Sequence, residues 1–108
     1  MIAVTGATGY TGSLLVRRLL AEGETVRCLV RPETDAGTLE QLGAEVVRGD
    51  FEASEGIGGA LGGARIVLHL ASIRYVRSVL ESVDKTIERL VLVSSLRRFS
   101  LVPDPTVD

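Results

Sequence analysis

Several residue types are scarce in this sequence. Of its 108 residues one is Cys, one is Met and none is Trp, while Phe and Tyr contribute two each. The single cysteine, Cys28, cannot form an intrachain disulfide, and because it lies within an apolar run we predict a small core residue rather than a nucleophile. A core with so few aromatics must be built from Val, Leu, Ile and Ala, which is the usual filling of a buried parallel sheet.

Neither sign of charge is in large excess, because the sequence has 12 Lys and Arg residues and 14 Asp and Glu residues. The formal net charge of −2 argues against nucleic acid as a partner, since that would need clustered cations. No apolar run reaches the ~18 residues that suggest a membrane span, so no membrane partner is predicted. With the lone cysteine, these features predict a cytoplasmic protein, and no metal site is predicted.

Short apolar runs alternate with amphipathic stretches along the chain. The apolar runs predict five strands, over residues 2–5, 25–30, 44–48, 65–70 and 90–93. The stretches between them predict a helix with an apolar stripe over residues 14–20 that ends at Gly23, a helix capped by Thr34 or Asp35 that runs to Leu42, a weak glycine-rich helix over 53–61, and a helix over 75–86. Such alternation requires crossover connections and therefore predicts a parallel sheet covered on both faces.

Three evenly spaced glycines, Gly6, Gly9 and Gly12, lie between the first strand and the first helix. There the first glycine permits the turn off the strand, the second lets the backbone approach a pyrophosphate, and the third lets helix and sheet pack closely. Amide N–H groups at the helix start then face the anion. The pattern predicts a dinucleotide site, and the alternative is a turn that binds no ligand. The other predicted contacts within the loop are Thr8, Tyr10 and Thr11.

The predicted fold is α/β, a Rossmann-type three-layer sandwich with a five-stranded parallel sheet, which is an incomplete doubly wound sheet. We predict one NAD(P)-binding domain over residues 1–95. Residues 96–108 contain two prolines and no periodicity. They are predicted to be an irregular tail or the start of a further C-terminal half.

The end of the second strand is the position that selects the cofactor. An Asp or Glu there would accept hydrogen bonds from the adenosine 2′-OH of NAD, whereas an Arg would accommodate the 2′-phosphate of NADP. Arg31 stands at this position, and no carboxylate occurs before Glu33. NADP is therefore the predicted cofactor, with NAD as the alternative, and the competing interpretation of Arg31 is a solvated loop residue.

Four segments in this order resemble the extended and atypical short-chain dehydrogenase/reductase superfamily. They are residues 5–12 (Thr-Gly-Ala-Thr-Gly-Tyr-Thr-Gly), 49–50 (Gly-Asp), 69–72 (His-Leu-Ala-Ser) and 91–95 (Val-Leu-Val-Ser-Ser). The chain is most similar to the NmrA-like, NAD(P)H-binding group and, in this half, to the NAD-dependent epimerases. The resemblance covers nearly the whole chain and implies an oxidoreductase that transfers hydride between the nicotinamide and a small-molecule substrate.

The resemblance also implies roles for single residues. Asp50 would accept a hydrogen bond from the adenine amino group, with Phe51 alongside the ring, while the alternative for Asp50 is an Asx-type turn. We expect His69 to be a packed structural residue rather than a catalytic base. The ribose and nicotinamide side would be lined by the residues that follow the fourth strand: Leu70, Ala71 and Ser72.

The catalytic part of the resemblance is incomplete. Members of the superfamily use a Ser or Thr near the fifth strand together with a Tyr-x-x-x-Lys pair, in which the Tyr acts as acid and base. Ser94 and Ser95 match the serine position, but Tyr10, Tyr75 and Lys85 are not spaced for the pair. Three functions stay open: the cofactor-binding part of an oxidoreductase, a non-catalytic NmrA-like dinucleotide sensor, and an interaction or remnant module that binds no dinucleotide. A homodimer or a complementary chain is the expected protein partner.

Overall fold

The computed structural model describes residues 1–93, in which five strands alternate with four α-helices. The strands are β1 (Ile2–Thr5), β2 (Val26–Val30), β3 (Glu45–Arg48), β4 (Ile66–His69) and β5 (Arg89–Leu92). The helices are α1 (Tyr10–Ala21), α2 (Gly37–Leu42), α3 (Ile57–Leu61) and α4 (Val76–Ser82), and a 3₁₀ turn (Ile73–Tyr75) precedes α4. The candidate serines Ser94 and Ser95 and the predicted tail over residues 96–108 lie outside the described residues.

All five strands are parallel and form one sheet in the order β3-β2-β1-β4-β5. In the central strand β1, Val4 lies opposite Cys28 on β2 and Leu68 on β4. The chain therefore moves outward from β1 to β3 and then returns to place β4 on the other side of β1. This reversal of strand order is the doubly wound arrangement, and the predicted α/β fold class is confirmed.

Alternate residues of each strand face opposite sides of the sheet, and each side has its own aliphatic core. One core lies under α1 and α2 and includes Val4, Cys28, Val16 of α1 and Leu39 of α2. The other lies under α3 and α4 and includes Ala3, Val67, Leu61 of α3 and Val79 of α4. The three layers predicted from the alternation are thus present.

Cys28 lies in the core under α1 and α2 and exposes no surface. Burial raises the pKa of its thiol to about 11. Since the thiolate is the reactive form, a thiol protonated at neutral pH is a poor nucleophile. The prediction of a small core residue is confirmed.

The glycine-rich helix α3 is shorter than the sequence predicts. It begins at Ile57 rather than at residue 53, because Ser54 (φ 55°) and Gly56 (φ 76°) adopt left-handed backbone that no α-helix contains. The backbone of Asp50 also pairs with that of Glu55 as an antiparallel bridge. The residues before Ile57 therefore form a turn that borders the end of β3.

Helix α4 is shorter as well, and ends at Ser82 rather than at residue 86. The backbone leaves the helix at Val83, which is extended (ψ 154°). The carboxylate of Asp84 then accepts hydrogen bonds from the backbone N–H groups of Gly63 (2.9 Å) and Thr86 (3.0 Å). This carboxylate stabilises a turn that leads into β5, and helical periodicity alone does not reveal it.

The longest helix among the described residues is α1, with 12 residues. A bilayer crossing needs ~20 consecutive apolar residues in a helix. No helix within residues 1–93 is long and apolar enough to meet this requirement.

Candidate functional site

A cleft of about 260 Å³ opens at the carboxyl edge of the sheet. Its walls come from the ends of β1 and β2 and from the loops that follow β1, β2, β3 and β4. At this edge the strand order reverses between β1 and β4, which is where open α/β sheets bind their ligands. The volume is near the lower end of the range for small-ligand pockets and suits one part of a larger ligand.

The loop after β1 turns at Gly6, whose φ of +75° lies in the left-handed region that favours glycine. A Cβ at Gly6 would lie 2.7 Å from the backbone nitrogen of Ala71, so the loop after β4 packs directly on the Gly6 backbone. A Cβ at Gly12 would collide with the carbonyl oxygen of Gly6. The turn and the close packing that the sequence predicts for Gly6 and Gly12 are therefore present in the backbone.

The start of α1 is open and uncapped. Gly9 precedes the helix in an extended conformation (φ −72°, ψ 170°), and no side chain caps the first turn. A Cβ at Gly9 would have its nearest neighbour, the Gly6 carbonyl oxygen, at 3.6 Å, so there is free space in front of the helix. The first N–H groups of a helix lack intrahelical partners and carry the positive end of its dipole. This terminus suits an anionic group such as phosphate.

The loop after β2 contains two oppositely charged residues at the mouth of the cleft. Nε of Arg31 lies 3.0 Å from Oε2 of Glu33, and both side chains are largely exposed. Arg48, at the end of β3, donates hydrogen bonds from Nη1 to the carbonyl oxygens of Arg31 (3.0 Å) and Thr34. Arg31 thus borders the cleft on a loop held by Arg48, with a carboxylate as its partner.

Asp50 follows β3 and lines the cleft. Its Oδ1 accepts a hydrogen bond from the backbone N–H of Glu52 at 2.9 Å, which is the Asx-type turn that the sequence offers as an alternative. The turn occupies one of the two carboxylate oxygens. An Asx turn and a ligand role for Asp50 are therefore compatible.

Phe51 and Tyr75 form a stacked aromatic pair in the cleft wall. Their ring centroids are 4.7 Å apart and the ring planes differ by 7°. Glu52 reinforces the pair, because its Oε2 accepts hydrogen bonds from the Tyr75 hydroxyl and from Nη2 of Arg74, the latter at 2.7 Å. The aromatic pair joins the loop after β3 to the 3₁₀ turn, and both residues line the cleft.

His69 is fully buried at the end of β4, directly behind the cleft. Its Nδ1 lies 2.7 Å from the Thr5 hydroxyl, and its Nε2 lies 2.8 Å from the carbonyl oxygen of Ser72. Burial lowers the pKa of the ring below its usual 6.5, and the hydrogen bond to Ser72 acts in the opposite direction. A buried ring with both nitrogens in hydrogen-bond contact agrees with the expectation of a structural residue.

The predicted site residues fall into two groups. Those that line the cleft are Gly6, Thr8, Arg31, Asp50, Phe51, Ala71 and Ser72. Gly9, Thr11 and Gly12 belong to the start of α1 beside it, Tyr10 is 82% exposed there, and Leu70 packs against the core under α1 and α2. Leu70 lies on the same side of the sheet as Leu68, and its role beside the ribose and nicotinamide stays a prediction.

Seven cleft residues were not predicted as site residues: Thr5, Leu29, Val30, Thr34, Gly49, Glu52 and Tyr75. Four of them lie at or directly after the carboxyl ends of β1, β2 and β3, namely Thr5, Leu29, Val30 and Gly49. The rule that ligands bind at this edge of the sheet predicts these four. The sequence places Tyr75 at the start of a helix, and only the folded chain brings its ring against Phe51.

Comparisons with known proteins agree with this geometry. A family model described as NAD(P)H-binding matches residues 6–106, most of the chain. Sterol demethylase protein B of Methylococcus capsulatus is 42% identical over 74 residues, which are 68% of this chain and 23% of that protein. Photosystem II assembly factor Ycf39 of Cyanophora paradoxa is 41% identical over 73 residues, again 68% of this chain and 23% of that protein.

A solved structure extends the comparison to the cofactor. A short-chain dehydrogenase/reductase superfamily protein from Agrobacterium tumefaciens, with NAD bound, is similar with a TM-score of 0.67 at 27% identity, over 88% of this chain and 32% of that one. This chain spans 23% of the length of the two curated relatives. The family match includes the three glycines, and the free space at Gly9, before the uncapped start of α1, is compatible with an anionic group there. The chain belongs to the NAD(P)H-binding family, among short-chain dehydrogenase/reductase-like proteins whose cofactor is a nicotinamide dinucleotide.

Proposed function

We propose that this chain is the cofactor-binding part of an atypical, NmrA-like short-chain oxidoreductase, and that its glycine loop holds the dinucleotide. The observation that carries the proposal is the Gly6 turn beside the uncapped start of α1, at the edge where the strand order reverses. The pyrophosphate would accept hydrogen bonds from N–H groups at the start of α1. The adenosine half would occupy the cleft, with its 2′ position toward Arg31 and its base toward the Phe51–Tyr75 pair.

We propose NADP as the preferred dinucleotide. Support comes from Arg31, which borders the cleft, and from the absence of a carboxylate at the end of β2 itself. Glu33 opposes this preference, because it pairs with Arg31 and would lie near a 2′-phosphate of like charge. Asp50 would accept a hydrogen bond from the adenine amino group through the carboxylate oxygen that its Asx turn does not use.

The nicotinamide half would extend past Ala71 and Ser72, which line the cleft after β4. When bound, the dinucleotide supplies the hydride chemistry. Ser94 and Ser95 come two and three residues after the end of β5 in the sequence and stay candidates for a hydroxyl near the substrate, which would be a small molecule. A cytoplasmic location and a homodimer or complementary chain also stay predictions.

A binding titration tests the glycine loop. The chain is titrated with NADPH and NADH and followed by ligand fluorescence and by thermal unfolding, because a ligand that binds only the folded state raises its stability. Gly9→Glu should abolish binding, since the new carboxylate fills the free space where the pyrophosphate would lie. Gly58→Glu is the matched control, because Gly58 is in α3 with no atom within 4 Å of an added Cβ. Equal binding by both variants, or no binding by the unmodified chain, would overturn the proposal.

A charge-change series tests the choice of dinucleotide. Arg31→Ala should lower the affinity for NADPH about tenfold and leave the affinity for NADH nearly unchanged, since only NADPH has the 2′-phosphate. Glu33→Gln should strengthen NADPH by removing the competing carboxylate. Arg17→Ala, an exposed arginine in the middle of α1, should change neither affinity. Stronger binding of NADH than NADPH by the unmodified chain would refute the NADP preference.

The second candidate is a binding module that transfers no hydride. One observation favours it: a similar protein, Ycf39 of Cyanophora paradoxa, is described as an assembly factor. The chain would then bind NADPH without consuming it when a panel of aldehydes, ketones and quinones is added. Loss of NADPH absorbance at 340 nm with any of them would favour the oxidoreductase.

A further inference from the structure

A chain of buried hydrogen bonds connects the ends of β1 and β4 behind the cleft. Thr5 and His69 expose no surface and lie opposite each other in the sheet. The Thr5 hydroxyl lies 2.7 Å from His69 Nδ1 and accepts the backbone N–H of Ala71 at 3.3 Å. The other ring nitrogen, Nε2, lies 2.8 Å from the carbonyl oxygen of Ser72. Ala71 and Ser72, the first two cleft residues after β4, are therefore both held by one imidazole, Ala71 through Thr5 and Ser72 directly.

The direction of these bonds defines the form of the ring. A carbonyl oxygen only accepts, so Nε2 must carry the hydrogen that it shares with Ser72. In the neutral ring Nδ1 is then an acceptor, and the Thr5 hydroxyl donates to it while accepting from Ala71. A second proton at Nδ1 would leave the Thr5 hydrogen without an acceptor in a buried site. Each donor in this series of hydrogen bonds has an acceptor only when the His69 ring is neutral and protonated at Nε2.

The held segment is the one that faces the glycine loop. The backbone nitrogen of Ala71 lies 2.7 Å from the position of a Cβ at Gly6, so any shift of Ala71 changes the gap between the two loops. The Ser72 carbonyl oxygen also accepts the backbone N–H of Tyr75 at 3.1 Å and starts the 3₁₀ turn. That turn carries Tyr75 into the cleft wall.

We propose that His69, with Thr5 as its intermediary, is a positioning residue for the dinucleotide: it sets the separation of the two loops that border the cofactor and the place of the Tyr75 ring. This role rests on the proposed function. His69 itself touches no cofactor and transfers no proton. Its contribution is to keep the cleft in its binding geometry before the ligand arrives, which lowers the cost of binding.

The test is a matched set of threonine variants. Thr5→Val keeps the shape but removes the hydroxyl, so it breaks the link to both Nδ1 and Ala71, whereas Thr5→Ser keeps the hydroxyl. Thr86→Val removes a hydroxyl at the opposite, amino edge of the sheet, where Thr86 is exposed and its Oγ1 lies 3.1 Å from the Ala64 carbonyl oxygen and also contacts Asp84. The full chain with each substitution is titrated with NADPH, and its unfolding temperature is measured without ligand.

We expect Thr5→Val to lower the affinity for NADPH about tenfold and Thr5→Ser to keep it within about twofold of that of the unmodified chain. Thr86→Val should lower the unfolding temperature and leave the affinity for NADPH unchanged. If Thr5→Val lowers the unfolding temperature but binds NADPH as the unmodified chain does, His69 is only a structural residue and the proposal is wrong. If the unmodified chain binds neither NADPH nor NADH, the proposed function fails, and this role fails with it.

A ligand-free measurement keeps the proposal testable even if Thr5→Val does not fold. His69 is the single histidine of the sequence, so its ring ¹⁵N resonances need no assignment. We expect the neutral, Nε2-protonated tautomer at pH 7. A ring protonated at Nδ1 would contradict the hydrogen-bond chain and overturn the proposal.

Discussion

Two of the loops that border the cleft, those after β1 and β4, are built in opposite ways. The glycine loop after β1 depends on missing side chains, since a Cβ at Gly6 or Gly12 would strike backbone atoms. The loop after β4 depends on side chains that are present, because Thr5 and His69 hold its backbone from behind. The conformation of the first loop should therefore be disrupted when a side-chain atom is added, and that of the second loop when a hydrogen bond is removed.

The largest effect should come from adding one methyl group to the glycine loop. In Gly12→Ala the new Cβ meets the carbonyl oxygen of Gly6, so the start of α1 must move away from the turn. We expect a loss of about 3 kcal/mol in the free energy of unfolding, measured in urea. Gly58→Ala is the control, because its Cβ meets no atom within 4 Å and should stabilise the helix by up to about 1 kcal/mol. Equal stability of the two variants would show that the glycine loop is looser than its contacts indicate.

The loop after β4 should respond to pH instead. Burial lowers the folded-state pKa of His69 below 6.5, so the unfolded chain binds more protons between the folded and unfolded pKa values, and stability rises with pH in that range. The contribution is complete above pH 6.5 and is lost as the pH falls through the lower folded value. The ring contacts the Thr5 hydroxyl, the Ser72 carbonyl and the Phe51 ring, which is nearly perpendicular to it, with Leu92 opposite it on β5, and none of these four groups is charged.

Urea unfolding between pH 5 and pH 8 measures this dependence, with His69→Gln as the reference that cannot titrate. The unmodified chain should lose stability toward pH 5, and the variant should lose less. Parallel curves for the two proteins would contradict a lowered pKa at His69. Carboxylates titrate mainly below this range, so their protonation adds little to the difference.

The contrast between the loops also explains what the sequence could predict. Gly6, Gly9 and Gly12 are a local pattern at fixed spacing, and local apolar runs predict the five strands, so the fold class and the glycine turn follow from neighbours in the chain. The contact of Thr5 with His69 joins residues 64 positions apart, and its partners become adjacent only when β1 pairs with β4. The early end of α4 has the same origin, since Asp84 accepts from Gly63, which is 21 positions away. Local periodicity contains no information on such pairs.

The smallest effect should come from the aromatic pair, whose side chains make no buried hydrogen bond to either loop. Tyr75→Phe keeps the ring on Phe51 and removes only an exposed hydroxyl that contacts Glu52, so its affinity for adenosine 2′,5′-bisphosphate should stay within about twofold of that of the unmodified chain. Tyr75→Ala removes the stack, which contributes about 0.5–1.5 kcal/mol, and should weaken this adenosine fragment by about threefold to tenfold. Nicotinamide mononucleotide, which lacks the adenine, should bind both variants alike. If Tyr75→Ala weakened both fragments equally, the ring would act by holding the loop after β4 in place rather than by contacting the base, and Tyr75 would belong with His69 and Thr5 among the side chains on which that loop depends.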